Sequence, residues 1–303
     1  EMKELEDIYE AMAVTVEKGV VIDASATIRG NGGKVVVWSN INHPRSNTFV
    51  QGDLLAMGGK LSGKGGKIET SGGAIDFENI NVSTIASDGS AGEWLIDPWN
   101  FYFSTSQLET LASNLGSNNI TISTGSSSAS GSPTTFLGRG HIVFGGNLSY
   151  TNGNARTLTL NSNADIWIQG NVASTGGALS FVFNAPSGNR ILLNGDINTN
   201  GGAFTINNGT QIHFQKTTGT QTINSSGGDI NFGNSNIRLL RHNGSLSVNS
   251  GSGYLGFGGS GSVEQVNTFF DISANYIMSW GGRHAGGFKD YTGVTLTAVS
   301  EYR

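Results

Sequence analysis

"GGALSF" (176–181) returns as "GGAFTI" at 201–206 and as "GGDINF" at 227–232, each time a glycine pair leading into a short alternating run. The pairs begin at residues 176, 201 and 227, so they stand 25 and 26 residues apart. Other pairs lie at 32–33, 65–66, 72–73 and 145–146. A weak repeat of this period, built from several short strands, is the mark of a solenoid, and coils of about 25 residues with two or three strands each suit a parallel β-helix. Glycine beside a strand costs conformational entropy and offers nothing to pack. At a coil corner it is useful. The backbone turns sharply there and the next coil lies about 4.8 Å away, so a Cβ would collide or demand an unfavourable φ. "GKGGKIETSGG" (63–73), with glycines on both sides of a branched centre, reads the same way.

Between the glycines, "KVVVW" (34–38), "TLTLNS" (157–162), "ADIWIQG" (164–170), "ALSFVF" (178–183), "RILLNGDI" (190–197), "QIHF" (211–214) and "SLSV" (245–248) read as strands separated by Gly, Asn and Ser turns. The competing architecture is an antiparallel sandwich, with strands at 8–12-residue spacing joined by hairpins. Asn152-Gly153, Asn208-Gly209 and Asn243-Gly244 would supply such turns, but phased glycine pairs fit the solenoid better. Two segments read as helical. "SQLETLASNL" (106–115) forms a short insertion after Asp97-Pro98, and "EMKELEDIYEAM" (1–12) gathers Met2, Leu5, Ile8, Tyr9 and Met12 on one face. The latter is too short to stand alone, so it docks as a cap or serves as an added handle. The expected fold class is all-β, a parallel β-helix with a short N-terminal helix. Its segments are 1–13 (helix), 14–98 (coils), 99–260 (continuing coils with the 106–115 insertion) and 261–303 (a last coil or cap).

Composition narrows the function. Glycine is 46 of 303 residues and charged residues are 13%, about twice and half of ordinary usage. Low charge argues against disorder. The net charge is −5, most of it carried by the five acids and one lysine of residues 1–10, so the remainder is close to neutral. No basic stripe grips nucleic acid, and no apolar run of about 18 residues spans a membrane; nucleic acid is not expected as a partner, nor is the chain expected to be membrane-embedded. There is no cysteine, which a long β-rich chain does not need and which also suits export as an unfolded thread.

Catalytic groups are sparse. Between residues 99 and 263 the acids are Glu109, Asp165, Asp196 and Asp229. The three aspartates, in "ADI", "GDI" and "GDI", would form a cation-holding row only if they shared a face; their spacings of 31 and 33 miss the coil period, which favours a plain strand-opening role. His43, His141, His213, His242 and His284 show no metal-ligand spacing, and no HExxH, GxSxG or P-loop pattern occurs. Hence no catalytic, cofactor or metal residue is assigned, and no enzyme is expected. Trp38 and Trp94 are expected in the core. Trp99, Phe101, Tyr102 and Phe103 in "WNFYF" alternate poorly and are the candidates for a contact surface. Asn-x-Ser/Thr triplets at Asn81, Asn119, Asn147, Asn208, Asn224 and Asn243 are candidate glycosylation sites.

"GNGGKVVVWSN" (30–40), "GGKLSGKGGKIETSGG" (58–73) and "AGEWLIDPWNF" (91–101), in that order, resemble a run in filamentous-haemagglutinin-like exoproteins, including the high-molecular-weight adhesins exported by two-partner secretion. The matching positions are Gly32, Gly33, Lys34, Val36, Val37 and Trp38; then Gly65, Gly66, Glu69, Thr70, Ser71 and Gly72; then Trp94, Leu95, Asp97 and Pro98. They cover about a quarter of the chain and place the family-like blocks within 14–98. The resemblance implies a right-handed parallel β-helix, no cofactor, and an internal segment of a longer virulence-associated protein that lacks the family's N-terminal secretion domain. It further implies a secreted or bacterial cell-surface location and partners of two kinds: a host-cell receptor, matrix protein or glycan, and an outer-membrane transporter during export. Function is then expected to be that of a structural and adhesive shaft. The alternatives are the stick of a contact-dependent toxin delivery protein and a β-helical carbohydrate-active enzyme. Ice binding would need a repeated Thr-x-Thr row, of which only isolated cases occur, near 157–159 and 295–297.

Overall fold

A computed structural model describes residues 11–43, 45–87, 89–124, 140–207, 210–233, 235–239, 245–258, 263–265, 269–280 and 294–298. Short strands follow one another with a single helix among the described residues, and every strand pair is parallel. The chain is an all-β, parallel-stranded, solenoid-like stack. The expected N-terminal helix falls on residues outside those described, apart from Ala11–Ala13, where the first strand, Ala13–Val16, begins.

One face is continuous. Its register runs Val35, Ile68, Trp94, Ile120, Leu158, Phe181, Phe204, Ile230, Leu255 and Ile277, each opposite the next. The step is 33 residues from Val35 to Ile68, 38 from Ile120 to Leu158, and between 22 and 26 elsewhere. Alternation in the sequence decides what faces inward. In Lys34–Trp38, Val35 and Val37 are buried while Lys34, Val36 and Trp38 are exposed, so Trp38 lies outside rather than in the core, a correction that follows from its phase in the strand. Trp94, in phase with Ile96, is fully buried. The inward rings line up along the stack. Trp94, Phe77, Phe101, Phe103, Phe144, Phe181, Phe183, Phe204 and Phe232 form an unbroken file with centroid separations of 4.1 to 6.3 Å; all but the two closest pairs, Phe101–Phe103 and Phe181–Phe183, lie in the range of favourable edge and offset packing.

The glycine corners are as tight as the spacing demands. A Cβ on Gly66 would fall 2.1 Å from the carbonyl oxygen of Gly33, and one on Gly92 would fall 1.9 Å from that of Gly66. The repeat that announced the fold has a second component beside it. Ser174, Thr199, Ser225 and Ser250 are buried, and their hydroxyls donate to the carbonyls of Gly177, Gly202, Gly228 and Gly253 respectively. Each hydroxyl closes the turn that its glycines permit.

Two further faces are interrupted. Below the interruption, Val14, Thr48 and Ile75 align on one face and Ile22, Leu54 and Val82 on the other. Above it, Phe101, Ile142, Ile166, Ile191 and Ile212 align on one face, and Leu148, Val172, Ile197, Ile223 and Val248 on the other. Strands Val263–Gln265, Phe269–Trp280 and Val294–Ala298 extend the same ladders.

On the second of these faces the interruption is the helix α1 (Thr105–Leu115), which packs between Asn81–Ser83 and Leu148–Tyr150. Ser104 caps it: its hydroxyl accepts from the Gln107 N–H while the Gln107 side chain accepts from the Ser104 N–H, a reciprocal box that satisfies two otherwise orphan donors. Leu108, Leu111 and Leu115 are fully buried, the i, i+3, i+7 stripe of a core-facing helix. At its far end the Gly116 carbonyl accepts from Arg156 Nη2 (2.9 Å) and Asn154 Nδ2 (3.1 Å) of the coil above, a cation where the helix dipole is negative. Burial pulls the Arg156 guanidinium below its ordinary pKa, and burial also raises Tyr150, against the opposing pull of the Arg156 charge.

On its lower side α1 completes the strand Asn81–Ser83. Asn114 Oδ1 accepts from the Val82 N–H (2.6 Å) and its Nδ2 donates to the Ile80 carbonyl (3.0 Å). Asn118, three residues past the end of α1, repeats the pattern, accepting from the Thr84 N–H (2.8 Å) and donating to the Val82 carbonyl (2.7 Å). The remaining amide hydrogens go to the carbonyls of Thr110 and Asn114, four residues back in each case. Asn114 and Asn118 stand four residues apart across the end of α1 and their targets two residues apart in the strand, so this pair of carboxamides meets the strand edge in register. Two side chains do the work of a missing rung.

Candidate functional site

With its interior filled, the stack can meet other molecules only through its outer surface. The continuous face is the broadest part of that surface, and its side chains change along its length. On the first three rungs it carries charge: Lys34 pairs with Glu69 (3.4 Å), Lys67 with Glu93 (3.8 Å), and the Thr121 hydroxyl donates to Glu93 (2.6 Å). Such exposed pairs contribute about 1 kcal/mol at most. From the fourth rung onward charge gives way to hydroxyls and amides. Thr121, Thr159, Val182 and Thr205 follow one another in the middle column. Beside them Asn184 Nδ2 donates to Asn161 Oδ1 (2.6 Å) and Asn207 Nδ2 to Asn184 Oδ1 (2.8 Å), an amide ladder along the stack. This surface offers close, regularly spaced neutral hydrogen-bonding groups.

The residues singled out from sequence separate in space. Of the four aromatics expected at a contact surface, Trp99, Phe101 and Phe103 are buried and only Tyr102 is exposed. The alternation restarts at the corner after Pro98, so Phe101 and Phe103 point inward from strand Phe101–Phe103 while Tyr102 points out. Trp99 fills the corner and donates its indole N–H to the Ile41 carbonyl.

Asp165, Asp196 and Asp229 do not form a row. They open Ile166–Ile168, Ile197–Asn198 and Ile230–Asn231, strands on three different faces. Asp165 takes Arg190 in a two-point contact, with Nε at 3.0 Å, and accepts the Arg190 backbone N–H (2.8 Å). The side-chain hydrogen bond from the guanidinium to Asp165 raises the Arg190 pKa above its ordinary value. Asp196 accepts from Lys216 Nζ (2.9 Å) and from the Thr222 N–H (2.8 Å), and Asp229 accepts the Tyr254 N–H (2.9 Å). His213 is buried and contacts Gln211 (3.1 Å). Among the described residues, no group of three or more His, Asp or Glu stands close enough to hold a metal ion, and no helix is long and apolar enough to cross a membrane.

Among the glycosylation candidates, Asn81 and Asn147 are exposed, Asn119 and Asn224 are half-buried, and Asn208 and Asn243 lie outside the described residues. Asn119, Asn147 and Asn224 each accept a backbone N–H, from Thr157, Asn171 and Ser226. Asn81 presents its carboxamide to solvent without such a bond.

Side-chain clasps recur throughout. Asn31 accepts the Lys64 N–H, Asn100 that of His141, Asn147 that of Asn171, and Asn171 that of Asp196. Neither these nor the Asn114–Asn118 pair were anticipated from sequence. The available signal was positional: Asn147, Asn171 and Asp196 recur at the coil period, and Asn114 and Asn118 stand four apart.

No protein-family model matches the chain, and no curated protein matches it.

Proposed function

We propose that the chain is a shaft segment of a large secreted or surface-tethered bacterial exoprotein of the filamentous-haemagglutinin-like kind, coiled as a right-handed parallel β-helix and serving attachment to host cells, matrix or other surfaces. The observation that carries this reading is the continuous face. Ten rungs follow one another from Lys34–Trp38 to the end of Phe269–Trp280, about 45 Å at the spacing between parallel strands. The three sequence blocks that resemble the exoproteins are the first three rungs, with Lys34, Lys67 and Glu93 in register. One block per coil is what a repeating shaft requires. Beyond the third rung the outward groups are mostly neutral, with Arg156 and Asp229 as scattered charges of opposite sign, so attachment would depend on close hydrogen bonding and many weak contacts rather than on long-range attraction.

The test is attachment of beads coated with the full chain to epithelial cells and to immobilised matrix proteins, with sugar release assayed on polysaccharides in parallel. Saturable attachment without cleavage is the expected result. Attachment to none of these surfaces removes the adhesive role, and cleavage replaces it with a hydrolytic or lyase activity.

A further inference from the structure

The geometry points to a carbohydrate-binding cleft where α1 interrupts the stack. A helix is about 10 Å across, about twice the spacing between neighbouring strands, so α1 stands proud of the face it replaces. The rung above, Leu148–Tyr150, returns to the plane of the sheet. The step between them is a cleft of about 860 Å³, within the range of small-molecule sites. Thr105, Glu109 and Ser113 line it from the helix, and Asn147, Ser149 and Thr151 from the strand side. Gly146 lies between them; a Cβ there would come within 3.0 Å of Thr105 Oγ1. Tyr102 does not line the cleft but lies beside it, against Gly145. It is 59% exposed, and its hydroxyl lies 2.4 Å from where a Cβ on Gly145 would fall, one residue from the cleft.

The chemistry selects the ligand class. No cation lines the cleft, and its one charge is the Glu109 carboxylate, so phosphates, sulfates and acidic sugars lack a counter-charge and would meet repulsion. An apolar ligand would strip water from the hydroxyls and replace nothing. The side chains of Thr105, Glu109, Ser113, Ser149 and Thr151 make no hydrogen bond to any described residue, so their capacity is open. A short neutral oligosaccharide fits each condition. Its hydroxyls both donate and accept, as the serines and threonines require, two neighbouring hydroxyls can donate to one carboxylate, and the C–H face of a sugar ring can lie on the Tyr102 ring. The inference goes beyond the shaft reading and does not depend on it, because the cleft belongs to the helix–strand step.

The full chain is applied to an array of neutral mono-, di- and trisaccharides, and the strongest binder is titrated by calorimetry against three variants. Tyr102→Ala and Glu109→Gln change exposed side chains, and Ser149→Trp fills the cleft without removing its acid. Each is expected to weaken binding by roughly tenfold or more, while Lys18→Ala, in the exposed turn between Ala13–Val16 and Val21–Asp23, leaves it unchanged. Circular dichroism melts verify that every variant keeps the fold. The inference is overturned if the full chain binds no neutral sugar, or if the folded Ser149→Trp variant binds as tightly as the parent.

Discussion

From Val172 to Val248 each coil meets the next through a backbone ladder, and side chains merely add to it. At α1 the ladder stops on the face of Asn81–Ser83, and side chains take its place. The two regions satisfy the same requirement, since a strand edge inside a fold must have partners for its N–H and C=O groups. They differ in what sets the spacing. In the regular coils it is the rise of one strand against another. At the end of the helix it is the match between carboxamides four residues apart and strand sites two residues apart, and it succeeds because a carboxamide carries both a donor and an acceptor. A sheet edge can therefore end against a helix with the N–H groups of Val82 and Thr84 and the carbonyls of Ile80 and Val82 all partnered.

The comparison can be broken most forcefully in the regular region. Gly228→Val would place a Cβ 2.2 Å from the Gly202 carbonyl oxygen, backbone against backbone. A loss of about 3 kcal/mol or more is expected, read as a shift in the urea midpoint or as insoluble expression; an unchanged midpoint would mean that coil spacing is softer than the corners imply. Asn114→Leu keeps the helix and the volume but strips partners from the Val82 N–H and the Ile80 carbonyl, for an expected cost of about 2–4 kcal/mol. Hydrogen exchange sharpens this second test. Protection should fall in Asn81–Ser83 and persist in Leu179–Asn184, whereas a uniform loss would show that the carboxamides matter only to global stability. Asn184→Ala breaks the surface amide ladder while the backbone ladder beneath persists, and about 0.5–1 kcal/mol is expected in the same urea titration. The smallest effect belongs to Asp165→Asn. Its partner Arg190 is half exposed, so less than about 1 kcal/mol should be lost, and a larger loss would show that the Arg190 backbone contact carries the coil.

Much of this architecture is legible in the sequence. The glycine pairs announced the period because Gly177, Gly202 and Gly228 sit where a Cβ would strike the backbone of the coil before, while Gly201 and Gly227 take positive φ, and α1 was visible as the helical text of 106–115. Side-chain direction near corners was less legible. Trp38 was placed inward on its type, although its phase with Lys34 and Val36 sends it outward, and Phe101 and Phe103 were placed at the surface because alternation resets after Pro98. Asn114 looks like an ordinary solvent-facing helical residue and Asn118 like an ordinary turn residue until the strand they complete is in place. The cleft has no signature in sequence at all, since it arises from the difference in girth between a helix and a strand.

The clasps between coils also have a polarity. Asn31, Asn100, Asn119, Asn147, Asp165, Asn171, Asp196 and Asp229 each lie in an earlier coil and accept a backbone N–H from a later one. At Asn114 and Asn118 the sense is inverted, for there the later residue accepts from the earlier strand. A partly built stack thus has unlike ends. Its leading end displays acceptors already positioned for the chain that follows, so every finished turn is a template for the next, and winding in sequence order meets a prepared surface that winding in reverse would not.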